Sequence, residues 1–175
     1  MKFSELEDEI DLNVCYIPQK PNNVLHWKLS SLIPNESCYL EAMFDEGIAL
    51  AGFKNRYLSG FSGGQIARVL VASAIHRLEA SGSTGNYLLL DEAFEGLDVD
   101  LLSSVLKRLA LQWLSRQPGR PLFLLLITHV DVEDVLKSID RTAISVNRVM
   151  LHKHPSEFHP TQGEIIRVDL TNRNA

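Results

Sequence analysis

The sequence predicts an α/β fold organised around a parallel sheet. Two apolar runs, YLLLD at 87–91 and LFLLLIT at 122–128, read as fully buried strands, as in a parallel sheet covered on both faces. Between them VDLLSSVLKRLALQWLSR at 99–116 places Leu102, Val105, Leu106, Leu109 and Trp113 at helical spacing. Strand, helix and strand in alternation define this class.

The remaining elements fit the same pattern. LNVCYIP at 12–18 reads as a short strand, followed by the turn-forming QKPNNV. Residues 36–52 carry apolar side chains at helical intervals, with Gly52 as the expected C-cap. A helix is expected from SGGQ to about residue 79, burying Ile66, Val69, Leu70, Ile75 and Leu78 on one face. EASGSTGN at 79–86 reads as a flexible connector, and QPGRP at 117–121 breaks the long helix. Beyond the second apolar run come a short helix at 132–139 and strands at 141–147 and 163–170. Three regions result: a strand region at 1–19, a helical subdomain at 20–80, and the larger α/β part at 81–175.

Composition narrows the function classes. The chain has 175 residues and is 45% hydrophobic, enough for a real core. Its formal net charge is −5 and no Lys or Arg block stands out, so the linear footprint of a duplex-binding surface is missing. Cys15 and Cys38 are too few for a disulfide scaffold and read as reduced core residues of a cytosolic protein. LFLLLI at 122–127 is far too short to span a membrane, and the acidic start MKFSELEDEI is no signal peptide. The expected location is cytoplasmic, with a peripheral position at a membrane partner left open. His152, His154 and His159 stand near one turn, but without cysteines or regular ligand spacing they read as a solvated loop.

The chemistry collects at the ends of the strands. YLLL leads straight into Asp91 and Glu92, and adjacent acids at the mouth of a buried strand are costly unless a cation or reacting group neutralises them. Ligands of open α/β sheets bind at that edge. An acid there can hold Mg²⁺ through water, and its neighbour can polarise an attacking water. Asp98 stands where the next helix begins and could equally be its N-cap. His129 in ITH and Gln19 in YIPQ each follow a strand and are expected near the same edge. In SGGQ, Ser62, Gly63, Gly64 and Gln65 open a helix, a place where exposed N–H groups favour a phosphate.

In this order, Gln19, SGGQ, YLLLDEAFEGLD and ITH resemble the ABC (ATP-binding cassette) ATPase family over roughly residues 12–147. Gln19 matches the Q-loop glutamine, and Ser62, Gly63, Gly64 and Gln65 the signature motif, with Phe61 for its usual leucine. Arg68 falls where the family has an arginine after the signature. Asp91 and Glu92 match the Walker B aspartate and the catalytic glutamate, although Ala93 replaces a frequent proline. Asp98 matches the D-loop aspartate and His129 the switch histidine. The resemblance implies a P-loop NTPase-like parallel sheet flanked by helices, with a small helical subdomain, and the cofactors ATP and Mg²⁺. It implies Asp91 and Gln19 at the metal, Glu92 and His129 in catalysis, and Ser62 to Gln65 closing over an ATP held by the opposite member of a head-to-tail dimer.

One part of the family pattern is missing. A Walker A loop reads G-x-x-x-x-G-K-[ST], and no lysine in this chain follows a glycine. The first lobe is therefore expected to come from elsewhere, as a Walker A-containing partner chain or a missing N-terminal lobe. A split cassette, a truncated product and a degenerate structural subunit all remain open. Without phosphate-positioning groups the isolated chain is expected to be inactive as an ATP hydrolase. The short interval between Gln19 and Ser62, without heptads, favours a transporter-type layout with a possible membrane-domain subunit. The alternatives are an SMC-type DNA-repair ATPase fragment, in which nucleic acid becomes a partner, and a non-enzymatic subunit that binds a complete cassette. Trp27, Leu32, Tyr39 and Phe44 are either a docking contact or ordinary packing.

Overall fold

The computed structural model describes residues 12–34, 37–44, 55–95 and 97–128, with strands at 144–146, 151–152, 162–163 and 168–170. His129, Gly52, the helix expected at 132–139 and the histidine side chains of 152–159 lie outside the described residues. The fold is α/β, and its heart is a three-stranded parallel sheet. Strands β1 (Leu12–Ile17), β2 (Gly85–Asp91) and β3 (Leu122–Ile127) lie side by side in that order. Tyr16 pairs with Leu89, Leu89 with Leu125 and Asp91 with Ile127. Two further strands, β4 (Ile144–Val146) and β7 (Val168–Leu170), extend the sheet beyond β3, with β7 antiparallel to both β3 and β4. Strands β5 (Leu151–His152) and β6 (Gln162–Gly163) pair separately.

Among the described residues, four α-helices connect the parallel strands. The first crossover carries α1 (Leu29–Leu32), α2 (Cys38–Met43) and α3 (Gly63–Ser81), and the second carries α4 (Val99–Arg116). Helix α3 packs on β1 and β2, while α2 lies against both α3 and α4. The buried stripe of α4 is Leu102, Val105, Leu106, Leu109, Ala110 and Trp113, the apolar repeat of the sequence with one alanine added. Leu70 sits at the margin of the α3 stripe and packs partly buried against the core. No described helix is long and apolar enough to cross a membrane.

Three expectations need correction. The helix over 36–52 ends at Met43, because Phe44 is already extended. Its last carbonyl, on Met43, accepts a hydrogen bond from Nη1 of Arg68 on α3, a tertiary cap that no local pattern announces. The connector at 79–86 is much shorter than its composition suggests. Helix α3 runs to Ser81, Gly82 closes it in the left-handed region at φ 73°, and β2 starts at Gly85. The strands are also not buried on both faces. In β1 and β3, Leu12, Val14, Tyr16, Leu125 and Ile127 are exposed, while Cys15, Ile17, Leu122 and Leu124 face the helices.

A polar lock holds the amino-terminal ends of these strands. Asn86 is fully buried, and its Nδ2 donates to the Ser83 and Pro121 carbonyls. The Arg120 guanidinium donates to the Ser83 carbonyl at 2.7 Å and to Gln117 Oε1 at 2.6 Å, while Trp113 Nε1 donates back to the Arg120 carbonyl at 2.9 Å. Arg116 completes the corner with an ion pair to Glu79 at 2.8 Å. This end of the sheet is a structural clamp. The opposite, carboxyl-terminal end is where the remaining chemistry stands.

Candidate functional site

Three side chains expected at the carboxyl edge do meet there. Gln19, two residues beyond β1, donates from Nε2 to Glu92 Oε2 at 2.5 Å and to Glu95 Oε2 at 2.8 Å. Asp91 ends β2, and its Oδ2 accepts from the Tyr16 hydroxyl at 2.9 Å. The Glu92 amide donates to the Ile127 carbonyl at 2.9 Å, which ties the acid pair to the end of β3. A tight turn follows, closed by the Glu95 amide on the Glu92 carbonyl, and it folds Glu95 back toward Gln19. One amide thus spans two carboxylates, with a third acid next to them in the chain. Such an edge favours a cation.

Glu92 has φ 47°, the one non-glycine residue in the left-handed region among those described. That conformation costs an L-residue roughly 1–2 kcal/mol. A glycine or asparagine would adopt it more easily, so a glutamate here trades stability for a carboxylate in this position.

Sequence reasoning missed two members of this cluster. Tyr16 was legible only from register. It pairs with Leu89, so Asp91 is its same-face diagonal neighbour. Glu95 lies inside DEAFEGLD, but only the turn brings it to Gln19. Its signal was the four-residue spacing from Asp91. The bond to Asp91 is also the main reason that the Tyr16 phenol is held above the ordinary tyrosine range.

The SGGQ segment has a local explanation of its own. Ser62 is the N-cap of α3, its Oγ accepting from the Gln65 amide at 3.3 Å. The Gln65 side chain accepts in return from the Ser62 amide at 3.0 Å, a full capping box. The S-x-x-Q spacing carried that signal. The two glycines differ. A Cβ on Gly63 would meet nothing within 4 Å, whereas one on Gly64 would lie 2.6 Å from Leu97 Cδ2. Gly64 is therefore needed for packing inside the chain, and Gly63 is not. Arg68 is buried, donating from Nε to the Gly64 carbonyl at 3.2 Å and stacking over Phe44 at 4.6 Å.

The Gly64–Leu97 contact joins the helix start to the acid edge, because Leu97 follows the Glu92–Glu95 turn. Asp98 comes next and N-caps α4, its Oδ1 accepting from the Leu101 amide at 2.7 Å. Tyr39, Phe44 and Leu32 pack into the core, whereas Trp27 stays at the surface, edge-on to His26. Among the described residues no group of three or more His, Cys, Asp and Glu side chains is placed to enclose a metal ion. A Mg²⁺ held by one carboxylate, its waters and the phosphates of a nucleotide needs no such cage. Asp91, with Tyr16 on Oδ2, fits that kind of binding through Oδ1. No family model and no curated protein matches the chain.

Proposed function

We propose that the chain is an ABC-type half-site that supplies the water-activating carboxylate and the signature helix to an ATP site completed by Walker A residues from outside it. The observation that carries this reading is the meeting of Gln19, Asp91 and Glu92 at the carboxyl edge of a parallel sheet. Mg²⁺, when bound with ATP, draws charge off the transferring phosphoryl group. Asp91 would hold that ion through its waters, with the Tyr16 hydroxyl occupying Oδ2 and leaving Oδ1 for them. Glu92 takes the proton of the attacking water, and Gln19 fixes the Glu92 carboxylate until nucleotide arrives. The start of α3 presents the Ser62 hydroxyl and the amides of Gly63 and Gly64 to a phosphate held by the opposite member of the dimer. We favour a transporter-type ATPase, because the sequence interval between Gln19 and Ser62 is short and carries no heptads.

The test is a chimera in which the Walker A lobe of an ABC ATPase precedes Leu12. The isolated chain is expected to show negligible Mg-ATP turnover, and the chimera to hydrolyse ATP. Glu92→Gln should then lower turnover at least about 100-fold. Turnover by the isolated chain that depends on Glu92, or a chimera indifferent to Glu92→Gln, would refute the reading. The second result would favour a scaffold subunit.

A further inference from the structure

We infer that Glu95 is a positioning residue of the carboxyl edge: its carboxylate holds the Gln19 amide in place while Glu92 turns to a water. The argument begins with what an amide can give a carboxylate. An ionised carboxylate only accepts, so Gln19 must turn its NH₂ group, and not its carbonyl, toward Glu92 and Glu95. Nε2 carries two hydrogens, and two acceptors stand within reach of it, at 2.5 Å and 2.8 Å. One hydrogen bond lets an amide pivot about it, whereas a second fixes its plane. With both donors spent, Oε1 is the polar atom that the Gln19 side chain has left to offer.

The chain around Gln19 does little of this work. Gln19 is exposed, two residues beyond β1, and its side chain makes only these two hydrogen bonds among the described residues. Pro18 and Pro21 limit the backbone on either side and leave the side chain to be held from across the edge. The holder is firmly placed. Glu92 opens a turn at φ 47°, the Glu95 amide closes it on the Glu92 carbonyl at 2.9 Å, and Ala93 and Phe94 are buried beneath it. Glu95 itself is exposed, so packing makes no demand for a glutamate there. A third carboxylate beside Asp91 and Glu92 adds repulsion to the edge. Among the described residues, the bond to Gln19 is the side-chain interaction that offsets it.

The two acids that share Gln19 stand differently. Glu92 follows directly on β2, and its amide is fixed to the Ile127 carbonyl, so it is the acid at the mouth of the sheet. Glu95 lies across the turn and faces Gln19 alone. When Glu92 engages an attacking water, it gives up part of its hold on the amide. Glu95 then keeps Gln19 oriented, with Oε1 presented to a hard cation or its waters. The inference deepens the half-site reading and rests on it for the cation and the nucleotide. The hold on Gln19 rests on geometry alone.

The test starts on the full chain with NMR of the Gln19 side-chain amide, assigned by its loss in Gln19→Ala. Glu95→Ala is expected to move that amide pair toward the shifts of free glutamine and to speed its hydrogen exchange at least about threefold. Glu95→Gln keeps an acceptor for the same N–H and should retain most of the wild-type signature. Both variants should melt within about 3 °C of wild type, since Glu95 is exposed. Gln19 would act on the bound cation in ground state and transition state alike. In the chimera, Glu95→Ala should therefore raise KM for Mg-ATP about fivefold and leave kcat within about twofold, with Glu95→Gln close to wild type. An amide pair unmoved by Glu95→Ala would overturn the inference. So would equal losses in Glu95→Ala and Glu95→Gln, which would make charge the cause in place of the hydrogen bond. A fall in kcat beyond about tenfold at unchanged KM would overturn it as well, by giving Glu95 a direct part in the chemistry. A displaced amide pair beside an inactive chimera would sink the half-site reading alone. An active chimera indifferent to Glu95→Ala would sink this inference alone.

Discussion

The adjacent glycines of SGGQ should respond to alanine in opposite directions. At Gly64 the new methyl carbon would sit 2.6 Å from Leu97 Cδ2, and Leu97 is buried, so its side chain must swing within a packed environment. Overpacking of this kind costs about 1–3 kcal/mol. Helix propensity returns at most about 1 kcal/mol, and less in the first turn of α3, where Gly64 lies. The expected net for Gly64→Ala is a loss of about 1 kcal/mol. Gly63→Ala meets open space, keeps the Ser62–Gln65 box, and should gain a few tenths of a kcal/mol. Urea denaturation of the isolated chain, followed by circular dichroism, reads the gap directly. In melting temperature it amounts to roughly 2–4 °C per kcal/mol for a chain of this size. Gly64→Ala as stable as Gly63→Ala would refute the packing argument. The functional consequence is reversed. On the proposed half-site reading, the stable Gly63→Ala should be the one that lowers turnover of the chimera, since its methyl would stand in the open space at the start of α3.

Ser62→Ala removes the acceptor for the Gln65 amide and should cost about 1 kcal/mol by denaturant titration, with Ser62→Thr largely restoring it. Trp113→Ala empties a fully buried site and orphans the Arg120 carbonyl, so a loss of about 3–5 kcal/mol is expected, enough to leave the chain largely unfolded at 37 °C. Glu92→Gly relieves the left-handed backbone and should raise the melting temperature of the isolated chain by about 2–4 °C while ending turnover in the chimera. The Tyr16 phenol keeps its proton beyond the ordinary range because the proton is shared with Asp91. Stabilisation from that bond is thus complete below the unfolded tyrosine value and is lost as pH rises through the higher folded one. Ultraviolet titration should show two tyrosines ionising late, Tyr16 and the buried Tyr39, and Asp91→Asn should advance Tyr16 and leave Tyr39 late.

The two long helices were legible almost to the residue, because each carries its own punctuation. Helix α4 starts on Asp98 and ends before QPGRP, and α3 starts on the Ser62 box. What sequence could not show was decided elsewhere in space. Helix α2 stops at Met43 because Arg68 caps its carbonyl from α3, across 25 residues. The residues EAS of the supposed connector stay helical because Glu79 is held by Arg116 and Gln117. In the site, Asp91 and Glu92 were readable as acids closing an apolar strand, and Gln19 as the residue after a neighbouring one. Glu95 and Tyr16 needed the turn and the register.

The misread burial of LFLLLI follows from the same physics. A continuous apolar run has no period of two, so it announces two buried faces, and in the described chain Leu125 and Ile127 reach solvent on one of them. Side chains of this kind on an isolated monomer gain nothing from being leucine and isoleucine, and they cost solubility. Their composition makes sense if the relevant state is an assembled one, in which a second layer closes over Val14, Leu89 and Leu125. The acid edge carries the same mark. Asp91, Glu92 and Glu95 crowd together beside the exposed side chains of Tyr16 and Ile127, with Glu92 held in an unfavourable backbone conformation.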